Sequence, residues 1–72
     1  MNWDEIEGNW KKFAGDLKVY WGRLTDDDLE IIQGQREKLS GELQRKYGIA
    51  RDEAEEEIED FLRKERQEAK SY

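Results

Sequence analysis

Six glycines punctuate this chain at a nearly fixed interval, and they constrain its fold more than any other feature. They stand at 8, 15, 22, 34, 41 and 48, separated by 7, 7, 12, 7 and 7 residues. Laying residues 8–22 (GNWKKFAGDLKVYWG) over 34–48 (GQREKLSGELQRKYG) aligns Lys12 with Lys38, Leu17 with Leu43, and three glycine pairs, at a constant offset of 26. Phe13/Leu39, Asp16/Glu42 and Trp21/Tyr47 match in kind. The next segments also begin alike, Asp26-Asp27 over Asp52-Glu53, with Ile32 over Ile58. One unit is therefore used twice, over 8–33 and 34–59: a longer helix, a glycine stop, then a second helix with an acidic start. One helical hairpin cannot cover both sides of its apolar stripe, so two are expected to pack on each other.

The apolar periodicity supplies the helices. Trp3, Ile6, Trp10, Phe13, Leu17, Trp21 and Leu24 step by three or four residues, one face of a helix. Gly8-Asn9 is a weak point in it, so a ragged or separate first turn is expected before residue 9. Gly22 suits a left-handed helix end. Thr25 is a strong N-cap, and Asp28 three residues later can complete a capping box. The short helix that follows places Leu29 and Ile32 on one face. A third helix runs from about Gln35 to Tyr47 with Leu39 and Leu43, and Gly48 ends it. A fourth begins near Ala50–Asp52 and presents Ala54, Ile58, Phe61 and Leu62. Glu59–Arg63 and Asp60–Lys64 are favourable i, i+4 pairs along it. The fold class is thus all-α, with four short helices in two hairpins. One domain is expected over 1–62, with a helix extension over 63–72 that frays from about residue 66.

Composition tests whether such a chain folds at all. Leu, Ile, Val and Phe total 14 of 72 residues, and with a net charge of −6 this borders on the disordered class. The eight aromatics, three of them tryptophans, and the regular spacing of the apolar residues favour a compact domain instead. No disulfide can reinforce it, because there is no cysteine. No apolar run approaches a membrane span, and the Met-Asn-Trp-Asp-Glu start does not read as a signal peptide.

Charge follows the repeat. Residues 8–24 carry a net +3, 25–33 a net −4, 34–48 a net +2 and 49–62 a net −6. Attraction between neighbouring helices is the plainer reading, each exposed pair contributing under about 1 kcal/mol. The sharper one is an acidic face for a cationic partner, or a basic face for an anionic one. Gly15 and Gly41 lie inside helices, where glycine costs roughly 1 kcal/mol against alanine. A close approach of helix backbones is the favoured reason, a ligand space the other. Trp3, Trp10 and Trp21 are expected in the core, with an exposed Trp3 or Trp10 as an interaction point the alternative.

Chemistry has few residues to work with. There is no histidine or cysteine, so a metal would rest on carboxylates alone. Asp26, Asp28, Glu30 and Glu37 fall at positions 1, 3, 5 and 12 of a calcium loop, but Ile31 stands where that loop needs glycine. The acidic run at 52–60 reads as a solvated helix face. Ser40 and Ser71 have no histidine to activate them, and Asp16 beside Lys12 and Tyr20 is an ordinary surface group. No catalytic, cofactor-binding or metal residue is assigned, and an enzyme is not expected. The negative balance argues against general nucleic-acid binding.

One resemblance adds context. Asn9-Trp10-Lys11-Lys12-Phe13 with Gly15, then Trp21-Gly22-Arg23-Leu24-Thr25-Asp26-Asp27-Asp28-Leu29, then Gly34, Gly41 and Arg45-Lys46-Tyr47-Gly48, resemble the CsbD-like family of small bacterial proteins over about residues 1–62. The resemblance implies a cytoplasmic protein made under general stress, with two hairpins packed crosswise in a bundle resembling SAM-type domains. It implies no catalytic residues, and a likeness to hydrophilins, which are proposed to protect other macromolecules during water loss. The expectation is a monomeric, non-enzymatic stress-response protein of this kind. The rivals are a protein-interaction module using the acidic fourth helix, and nucleic-acid binding through a basic face of helices 1 and 3.

Overall fold

Asn9 divides the first apolar stripe into two helices, so the described residues form five rather than four. The computed structural model describes the backbone of residues 2–70 and side chains as far as Lys64. The helices are α1 (Trp3–Gly8), α2 (Trp10–Tyr20), α3 (Asp26–Ile32), α4 (Arg36–Tyr47) and α5 (Arg51–Lys70). No strand occurs among the described residues. The Asn2 side chain caps α1 by accepting from the Glu5 N–H at 3.2 Å. Asn9 then ends α1 and starts α2: its N–H donates back to Glu5 and Ile6, and its carbonyl accepts from Lys12 and Phe13. Its side chain points backward too, to the Glu5 carbonyl, so α2 begins with no side-chain cap.

The remaining boundaries follow local rules unevenly. Thr25 and Asp28 form the full capping box, each side chain accepting from the other's backbone N–H, at 3.2 and 2.9 Å. Gly48 closes α4 at φ 61, the left-handed region that only glycine enters without strain. Gly22, its repeat partner, does not adopt that conformation. The positive φ values among the described residues are at Gln33, Gly34 and Gly48. Instead α2 stops at Trp21, whose carbonyl accepts from the Leu24 N–H and turns the chain without a left-handed residue.

The stripes meet in one core. Trp3, Ile6, Phe13, Leu17, Trp21 and Leu24 from the first half join Leu29 and Ile32, then Leu39 and Leu43, then Ala54, Ile58, Phe61 and Leu62. Trp10 and Tyr47 sit half-buried at its edge, and Ala50 is exposed just before α5. The radius of gyration, 11.6 Å, is close to the ~11 Å expected of a compact chain of this length and far from the ~26 Å of an unfolded one. The apolar fraction, low as it is, therefore covers a core because it is periodic.

Gly15 and Gly41 do not bring helices together. A methyl group at either position would meet nothing within 4 Å, and both are exposed. The helix neighbours explain why: Lys11, Lys12, Lys18 and Val19 flank Gly15 at three and four residues, and all four are exposed. The close approach occurs at Gly34 instead. A Cβ there would stand 3.3 Å from the Glu7 Cγ, and the Gly34 carbonyl accepts from the Trp3 indole Nε1 at 2.7 Å. That bond fastens α1 over the α3–α4 turn. At the other end α5 is helical to Lys70, past residue 66, the expected start of fraying; Ser71 and Tyr72 lie outside the described residues.

Candidate functional site

The chemistry of this chain is ionic, and its pattern begins at Asp28. Ordinarily the N3 residue of a cap is exposed; this one is 4% exposed. Its carboxylate accepts from the Thr25 N–H and hydroxyl and pairs with Lys46 Nζ at 2.9 Å and Arg45 at 3.6 Å. Arg45 and Lys46 come from the last turn of α4, where cations also suit the negative end of the helix dipole. The Lys46 hydrogen bond, then the Thr25 backbone bond, hold the Asp28 carboxyl well below the usual carboxylate range, against its burial. Arg45 additionally pairs with Glu42 on its own helix.

A second node joins α4 to α5. The Arg36 guanidinium reaches Glu55 at 3.1 Å and Glu59 at 2.8 Å, one turn apart on α5. Burial works against the Arg36 charge, but hydrogen bonds to Glu59 and Glu55 more than offset it and raise its pKa. The same bond lowers that of Glu59. Glu59 thus faces Arg36 rather than Arg63, which pairs with Asp60 one turn back along α5. Lys64, expected to meet Asp60, lies over the Tyr20 ring at 5.7 Å. Trp21 Nε1 donates to Glu57 at 2.8 Å, and Trp21 and Tyr20 both pack against Phe61 at 5.2 Å between centroids. Tyr20 has a raised pKa, first from burial and then from the Asp60 and Glu57 charges.

These contacts sort the basic residues. Of the eight in segments 8–24 and 34–48, Lys18 bonds Asp26 at 2.8 Å, Arg36 holds α5, and Arg45 and Lys46 hold Asp28. Arg23 stacks on Tyr47, whose hydroxyl accepts from the Arg23 N–H. Lys11, Lys12 and Lys38 form no ion pair among the described residues. On α5, Asp52, Glu53 and Glu56 are exposed and likewise unpaired among those residues.

The remaining residues of interest fall apart spatially or in role. Asp28 faces Lys46 and Thr25 and Asp26 faces Lys18, so the calcium-loop register has its first two ligands engaged elsewhere. Among the described residues no group of three or more acidic side chains is arranged to hold a metal ion. Ser40 is buried and accepts from Gln44; Ser71 lies outside the described residues. Trp3 and Trp21 are buried with their indole N–H groups bonded. Trp10 lines an open cleft of about 560 Å³ with Glu7, Lys11, Lys12 and Gln33. The cleft was invisible in the sequence, because it forms only where the α1–α2 break meets the end of α3. No helix among the described residues is long and apolar enough to cross a membrane.

Five helices, one core and cross-helix ion pairs among the described residues define a small all-helical bundle. The chain belongs to the CsbD-like family, whose model matches residues 4–56. It is similar to UPF0337 protein YjbJ of Escherichia coli (strain K12), 52% identical over 61 residues, 85% of this chain and 88% of that one. UPF0337 protein RPA4217 of Rhodopseudomonas palustris is 49% identical over 62 residues, 86% of this chain and 94% of its own length. UPF0337 protein NE2439 of Nitrosomonas europaea is 51% identical over 61 residues, 85% of this chain and 65% of its own.

Proposed function

We propose that this chain is a non-enzymatic bacterial stress-response protein that protects neighbouring macromolecules as a strongly hydrated, self-repelling acidic body. One observation carries the reading: cations of the basic segments are taken up in ion pairs within the molecule, while carboxylates on α3 and α5 stay exposed and unpaired among the described residues. Lys18, Arg36, Arg45 and Lys46 are engaged in ion pairs within the molecule, while Asp52, Glu53 and Glu56 on α5, with Asp27 and Glu30 on α3, are exposed. Exposed carboxylates hold water and keep molecules of like charge apart. Membership in a family of stress-response proteins without a described mechanism supports the same reading. On it the protein acts in the cytoplasm as a monomer, residues 1–62 form its single domain, and its two hairpins (α2–α3 and α4–α5) cross as in SAM-type bundles.

The test is survival. A dehydration-sensitive enzyme is dried and rehydrated with this protein or with an equal mass of albumin. Higher recovered activity with this protein is expected; equal recovery refutes the proposal.

A specific interaction through α5 is the second reading, favoured by the unpaired carboxylates at 52, 53 and 56. On it the triple variant Asp52→Asn/Glu53→Gln/Glu56→Gln, which keeps half of the net charge of −6, would abolish capture of a partner while retaining part of the bulk protection. Nucleic-acid binding has less support, because Lys11, Lys12, Arg23 and Lys38 are what the basic segments leave free of ion pairs among the described residues, with Arg23 stacked on Tyr47, and a duplex-binding face needs a broader positive footprint.

A further inference from the structure

Seven of the nine residues from 52 to 60 are carboxylates, Ala54 and Ile58 being the exceptions. In the helix that run spans roughly 12 Å, whereas in an extended chain it spans up to about 30 Å. Folding the run into α5 therefore concentrates seven negative charges. Three kinds of contact hold the helix down: Arg36 to Glu55 and Glu59, the Trp21 indole to Glu57, and the apolar packing of Ala54, Ile58, Phe61 and Leu62. Arg51 precedes the run, and Arg63 and Lys64 follow it, Arg63 on Asp60 and Lys64 over Tyr20. Asp52, Glu53 and Glu56 face no cation among the described residues.

The attractions and the repulsions act over different distances. The polar attachments are contacts of 2.8 to 3.1 Å. The repulsions act across the length of the run. At about 0.01 M salt the screening length is roughly 30 Å, longer than the whole run, so every carboxylate opposes every other. At about 0.5 M it is roughly 4 Å, so the long-range repulsion is largely removed while direct contacts persist. Apolar packing does not weaken in salt either.

We propose that α5 is an ionic-strength-dependent clasp, which seats on the bundle in concentrated electrolyte and loosens from Trp21, Arg36 and the core as electrolyte is diluted. This inference is independent of the protective role, since it concerns how firmly the helix docks and not what the exterior shields.

The experiment follows thermal unfolding by circular dichroism and amide exchange by NMR in 20 and 500 mM potassium chloride. The midpoint is expected to rise by on the order of 5 °C, with slower exchange for the α5 amides and the Trp21 indole N–H than for α1. The double variant Glu53→Gln/Glu56→Gln removes two exposed charges that have no partner to lose. It should be more stable than the parent at 20 mM and show about half the salt response. A midpoint that stays level or falls as salt increases overturns the proposal. So does a double variant with the parent's full salt response, which would place the effect outside α5.

Discussion

Replacing Asp28 by alanine removes two functions at once, and the structure separates them. The first is the cap: the Thr25 N–H loses its acceptor, a loss of about 1 kcal/mol. The second is the ion pair with Lys46. Stranding one partner of a fully buried pair costs about 3–5 kcal/mol, but Lys46 retains 27% side-chain exposure and can be rehydrated, so about 1–2 kcal/mol is expected here. Together they come to roughly 2–3 kcal/mol, or a fall in midpoint of about 10–20 °C for a domain of this size. Asp28→Asn keeps an acceptor for Thr25 and isolates the charge.

The pH dependence supplies an internal check. Asp28 has a folded pKa below its unfolded one, so its contribution is complete above the unfolded value of about 3.9 and is lost as the pH falls through the folded value. The parent should lose stability below about pH 4 more steeply than Asp28→Asn does. Urea unfolding at pH 7 and at pH 3 measures both terms. A loss below about 1 kcal/mol for Asp28→Ala at pH 7, or parallel acid slopes for parent and Asp28→Asn, refutes the reasoning.

Glycine substitutions should divide by backbone rather than by repeat position. Gly15→Ala and Gly41→Ala add a methyl into open space within a helix and should stabilise by up to about 1 kcal/mol, whereas Gly48→Ala, at φ 61, should destabilise by about 1 kcal/mol. Urea midpoints of the three variants check the signs. Trp3→Phe keeps an aromatic ring, though a smaller one, but leaves the buried Gly34 carbonyl without its donor, and should cost about 1–3 kcal/mol by the same measurement. Arg36→Met should release Glu55 and Glu59 together and speed amide exchange in α5 before the rest of the bundle.

Features governed by near neighbours were legible in the sequence. The Thr25–Asp28 box needs a spacing of three, Gly48 needs only its position after the last apolar residue, and Gly8-Asn9 marks a helix break by its own conformational preferences. Charge order was legible in outline: basic and acidic segments alternate, and Lys18–Asp26, Asp28–Lys46 and Arg36–Glu55 join them. The actual partners were not, because Asp28 and Lys46 are 18 residues apart and only the packing of α3 on α4 brings them together. Of the i, i+4 pairs on α5, Glu59–Arg63 gave way because a cation from α4 claimed Glu59, and Asp60–Lys64 because Arg63 took Asp60 and Lys64 lies over Tyr20. Repeat symmetry is a poor guide to Gly15 and Gly41, whose helix neighbours carry the better signal: Lys11, Lys12 and Lys18 beside one, and Glu37, Lys38, Gln44 and Arg45 beside the other, mark an outward face. Gly22 failed through symmetry too, since Trp21 already turns the chain. The Trp10 cleft depends on contact between α1–α2 and the end of α3, which no local pattern encodes.

Indole exchange reads the architecture most directly. The three tryptophans supply three side-chain N–H signals in an NMR spectrum of the protein. Trp3, bonded to Gly34, and Trp21, bonded to Glu57, should exchange slowly with solvent deuterium, and Trp10, half-exposed at its cleft, rapidly. Free-solvent exchange at all three, or protection of Trp10 with loss at Trp3 and Trp21, would contradict a bundle pinned at both ends by its tryptophans.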